Sequence, residues 1–154
     1  MVSQQLSEEA ADIWAKVSRI TDTVAGKKDL PDLEQEREAF WNGAEDDTKH
    51  NKKASLAFHL RHLESFYDKV GQPSPEGKFT ATGHTIGECR LWVVLHVIVD
   101  HIKSESVLDA FPNLAAFYQA ILATPECQGL LKDGGKGMPK AFRPYFVLHR
   151  EDNP

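Results

Sequence analysis

The stretch GHTIGECRLWVVLHVIVDHI, residues 83–102, constrains the fold more than any other part of the chain. Ile86, Leu91, Trp92, Val93, Val94, Leu95, Val97, Ile98, Val99 and Ile102 cover most of the circumference of a helix. A helix that is apolar all round has no face to offer water and must be enclosed by other elements. This one is shorter than the ~20 apolar residues a membrane crossing needs, and it is polar or charged at both ends. It is therefore expected to be the central helix of a helical bundle. Its start is set locally. Thr85 is placed to accept from the amide of Glu88, and the Glu88 carboxylate to reach back to the amide of Thr85, a capping box. A buried helix start is costly to leave unsatisfied, so a cap made by its own side chains fits the position.

The remaining periodicity supplies the surrounding helices. Ser7 is the expected N-cap of the first, with Glu8 and Glu9 at its positive end. Ala10, Ile13, Trp14, Val17, Ile20 and Val24 then recur at helical spacing up to Gly26. A second helix is expected from about Leu33 to Trp41. In ASLAFHLRHLESFYDKVG, Leu56, Leu60, Leu63, Tyr67 and Val70 make one stripe, with Gly71 as the C′ residue. QPSPEGKFTATGH is a turn-rich connection. DAFPNLAAFYQAILATPECQGLL holds two more helices. The first carries Leu114, Phe117, Tyr118, Ile121 and Leu122; the second is capped by Thr124, with Pro125 at its first position and Glu126 beside the positive end. Neither an internal repeat nor strand-like alternation is present, so the fold class is all-α, a bundle around residues 86–102. Gly134, Gly135 and Gly137 then form a joint. The expected organisation is a helical domain over 1–132 and a tail over 133–154 carrying Phe142, Tyr145, Phe146 and Leu148.

Composition narrows the function. The net charge is −5, with 23 acidic and 18 basic residues, which argues against a surface that tracks phosphates and so against nucleic acid. The cluster Lys49 to Lys53 follows Glu45-Asp46-Asp47 and reads as a solvated mixed-charge loop. The N-terminus shows no basic segment followed by an apolar run. Cys89 and Cys127 lie far apart in no paired motif and read as reduced thiols, which sets a cytoplasmic expectation with no membrane role. His59, His62 and Glu64 on one helix and His96 and His101 on another raise a metal reading. The repeated Glu-x-x-His, HExxH and Cys/His frameworks are all missing, so none is expected to bind metal. His96, inside an apolar helix, reads as a hydrogen-bonded core histidine. KDGGKG lacks the terminal Lys-Ser/Thr of a phosphate loop and reads as a hinge. Nucleophilic triad chemistry has no local support. No catalytic residue is expected.

HLRHLESFYDKVG, then GHTIGECRLW, then LDAFPNLAAFYQAILATPECQGLL resembles, in order and spacing, the all-helical C-terminal domain of soluble glutathione transferases. The likeness runs from about Glu8 to Leu131. Gly83, Thr85, Glu88, Phe111, Pro112, Leu114 and Pro125 occupy the motif positions, with Glu88 where the family usually has Asp. Enzymes of that family carry a further thioredoxin-like N-terminal domain, which binds glutathione and supplies the catalytic Tyr, Ser or Cys. Nothing in this chain reads as that domain. The resemblance therefore implies the helical half of a glutathione transferase. Conjugation of glutathione to electrophiles is the family activity, not competent in this half alone, with no cofactor beyond glutathione as co-substrate.

Comparison with the sigma, mu and alpha classes puts Asp22 where an acid meets the glutathione amine across a dimer, a charge-assisted hydrogen bond. The alternative is an ordinary exposed helix acid, and Ser18 stands where many relatives have another acid. Val24, Arg90 and Val94 would border the hydrophobic-substrate pocket; core or interface packing is the alternative. A second functional reading is a non-catalytic protein–protein interaction module of the same type, as in translation-factor or synthetase assemblies. Both readings expect a homodimer or a protein partner. Trp14 and Val17 on the first helix, with Phe142, Tyr145 and Phe146 on the tail, are the expected unpartnered apolar surface.

Overall fold

The computed structural model describes residues 1–24, 38, 41, 55–70, 77–81, 83–99 and 105–132, with backbone alone at 16, 19–24 and 105. Five α-helices are present among them: α1 (Val2–Val24), α2 (Leu56–Lys69), α3 (Ile86–Val97), α4 (Pro112–Leu122) and α5 (Pro125–Leu131), with a 3₁₀ turn at Glu105–Leu108. No strand occurs among the described residues, and the fold is all-α. No helix is long and apolar enough to cross a membrane.

The central position of α3 follows from its sequence. Leu91, Trp92, Val94, Leu95, His96 and Val97 are all buried, as are Ile98 and Val99 in the π-type turn beyond it. The first turn is different: Ile86 is 77 % exposed and Arg90 is also at the surface. From Leu91 onward every residue of α3 is buried except Val93, which is partly buried. Helix α1 is the main neighbour of α3 and α4 the second; α2 packs on α4 and touches α1.

Helix α1 lays Leu6, Ala10, Ile13 and Val17 along one buried stripe, the spacing of an amphipathic helix. It crosses α3 closely at Gly87, where an added Cβ would stand 1.9 Å from the carbonyl oxygen of Ser3. Only a residue without a side chain lets the two backbones meet there. Ser3 also accepts the Gly87 amide on its hydroxyl at 3.1 Å. Four residues on, Arg90 donates to Ser7 Oγ at 2.6 Å. These two contacts show that α1 and α3 run in the same direction.

Two expectations are corrected here. Ser7 is not the N-cap of α1, because the helix already begins at Val2. Leu6 is fully buried and extends the apolar stripe by a turn, which draws the helix start backward. Val17 is 0 % exposed and Trp14 partly buried, so Val17 contributes no unpartnered surface. Both pack into the core that α1 shares with its neighbours. The second expected helix is represented by Glu38 and Trp41, both helical. Gly26, Gly71, His101 and the tail 133–154 with Phe142, Tyr145, Phe146 and Leu148 lie outside the described residues.

Helices α2 and α5 start as their sequences dictate. Ser55 caps α2 by accepting from the amide of Phe58 at 3.2 Å. Thr124 caps α5 by accepting from the amide of Cys127, with Pro125 in the first turn and Glu126 at the positive end. Tyr67, Phe79 and Phe117 lock the centre together. Their rings meet edge to face, with centroids 4.7 Å apart for Tyr67–Phe79 and 5.0 Å for Phe79–Phe117. Such pairs add roughly 1 kcal/mol each beyond the area they bury.

Candidate functional site

The most organised polar constellation surrounds Glu88, on the first turn of α3. The residue is fully buried. Its carboxylate accepts from the amides of Phe79 at 2.9 Å, Thr80 at 3.1 Å and Thr85 at 3.2 Å. The hydroxyls of Thr80 and Thr85 each donate to it at 2.7 Å. The Thr85 hydroxyl in turn accepts from the Glu88 amide, and the capping box is complete. These donors converge on the carboxylate at the positive end of α3. Gly83 takes a left-handed conformation, φ +69°, and turns the chain into the box.

A second carboxylate does comparable work across the fold. Helix α4 begins at Phe111, which has no capping side chain, followed by Pro112. Glu64 of α2 supplies the cap instead, accepting from the amides of Asn113 at 2.9 Å and Leu114 at 3.0 Å. Asp68 accepts from the Asn113 side chain at 2.9 Å. Nothing near Glu64 in sequence announces this role, because its partners lie 49 and 50 residues away. The usable signal was negative: a helix opening on Phe-Pro must find its cap elsewhere.

Three of the described histidines, His59, His62 and His96, make contacts within the bundle. His96 is buried, as expected of a core histidine, with Nδ1 2.9 Å from the Tyr118 hydroxyl and its ring stacked on Trp92. Trp92 donates to the Tyr118 carbonyl at 3.1 Å. His59 pairs through Nδ1 with Glu9 of α1 at 2.5 Å, and His62 stacks on Phe58. Among the described residues no three His, Cys, Asp or Glu side chains come together as a metal site.

Neither cysteine is poised as a nucleophile. Burial, and secondarily the Glu88 carboxylate, push the exposed Cys89 thiol above its ordinary range. Burial alone pushes the Cys127 thiol up to about 11. A reactive cysteine needs the opposite environment, one that favours the thiolate.

Of the residues implied by resemblance, Arg90 and Val94 have described side chains. Asp22 and Val24 belong to the last turn of α1, and their side chains lie outside the described residues. Arg90 is exposed and engaged with Ser7, while Val94 is buried. A cleft of about 350 Å³ between α1 and α2 is lined by Glu8, Glu9, Asp12 and His62. Another of about 340 Å³, between the 3₁₀ turn and α4, is lined by Ser106, Asp109, Tyr118 and Gln119. Neither is lined by Arg90 or Val94.

A family model described as glutathione S-transferase, C-terminal domain, matches residues 32–133. This chain belongs to that family. The match takes in α2 to α5, including Thr85 and Glu88, and begins beyond the end of α1. No curated protein and no solved structure matches the chain. Within the glutathione S-transferase C-terminal domain seen here, the capping box and its buried acid organise the bundle. No described side chain is set up to activate a thiol.

Proposed function

We propose that the chain is the helical half of a glutathione transferase, contributing to conjugation when a thioredoxin-like domain supplies the glutathione site. The carrying observation is the family match over residues 32–133. In the reaction, the sulfur of glutathione loses its proton and forms a bond to an electrophilic centre, whose bond to a leaving group breaks, the leaving group departing with the electron pair. The step requires a group that holds the thiol and lowers its pKa. Cys89 and Cys127 are shifted the other way, so activation belongs to the other domain. Asp22, at the end of α1, is the acid proposed to meet the glutathione amine across a dimer, with Val24, Arg90 and Val94 bordering the hydrophobic-substrate pocket. The free thiols of Cys89 and Cys127 support a reducing compartment, the cytoplasm.

A second reading is favoured by the lack of a thiol-activating group among the described residues. In it the domain is a protein–protein interaction module, working as a homodimer or with another protein. Combining the chain with the thioredoxin-like domain of a glutathione transferase separates the two. The first reading expects conjugation that requires both parts and falls when Asp22→Ala is introduced. Stable association without turnover supports the module instead.

A further inference from the structure

We draw no further inference here: the strongest candidate, the cleft between α1 and α2 where Glu8, Glu9 and Asp12 face His62 over Leu63 and Phe66, is an acidic cluster with no second observation pointing to a ligand, because the unpartnered Nε2 of the neighbouring His59 does not line it.

Discussion

Glu88 shows how much one side chain can organise. Its carboxylate satisfies the start of α3 and also ties down the preceding segment through the amides of Phe79 and Thr80. Glu88→Gln keeps the shape but replaces one acceptor oxygen by a donor. At least two buried donors then lose their partner, at about 1–3 kcal/mol each. Thr85→Ala removes the N-cap hydroxyl and is expected to cost about 1 kcal/mol. Urea denaturation should therefore rank the variants, with Glu88→Gln the less stable and the slope unchanged. Equal midpoints for Glu88→Gln and the parent chain would show that the carboxylate is not a structural centre.

The thiols give a test with a definite sign. Cys127 has its folded pKa raised to about 11 from an ordinary value of 9.0. The unfolded chain therefore loses its thiol proton first as pH rises. The folded state then holds more protons, and stability falls with increasing pH. The contribution is complete below about pH 9 and is lost as pH passes through about 11. Stability measured between these values should decline less in Cys127→Ala than in the parent chain. At neutral pH an alkylating reagent should label exposed Cys89 in the native protein, and Cys127 only after unfolding. Rapid native labelling of Cys127 would contradict its burial.

At the scale of elements, legibility in the sequence followed contact range. The start of α3 could be read because Thr85 and Glu88 are three residues apart and make their contacts within one turn. The starts of α2 and α5 rest on equally local caps. The start of α1 was misplaced at Ser7, because Ser3 and Ser7 serve partners on α3, 84 and 83 residues away. A serine whose hydroxyl works across the fold looks the same in sequence as one that caps its own helix. Glu64 was legible only as a neighbour of histidines, since its partners are on α4. The roles given to Asp22, Val24, Arg90 and Val94 came from resemblance and not from periodicity. Periodicity orients a side chain on its own helix but says little about how far along its neighbour it will sit.

Two substitutions test the element-scale account. Gly87→Ala places a methyl group against the Ser3 backbone, and α1 must move off α3. Overpacking of this kind costs about 1–3 kcal/mol, with backbone contact at the upper end. Glu64→Ala uncaps α4 and should cost about 1–2 kcal/mol. Hydrogen exchange should then accelerate at Asn113 and Leu114 more than at Cys127, whose amide is capped separately by Thr124. Uniform acceleration across both helices would indicate that Glu64 acts through general stability.

For the molecule as a whole, a well-packed helical bundle stands beside described polar groups that serve mainly its own architecture. The core is continuous from α1 through α5, centred on α3, and the family match covers most of it. Glu88 and Glu64 cap helices, Glu9 pairs with histidine, and the described thiols are pushed above their ordinary range. The central claim is that this domain contributes architecture while thiol activation resides elsewhere. Steady-state conjugation of glutathione to a simple electrophile by the purified 154-residue chain alone tests that claim most directly. The account predicts a rate equal to the uncatalysed reaction at every protein concentration. A rate that rises in proportion to the chain, and collapses in Asp22→Ala, would contradict it.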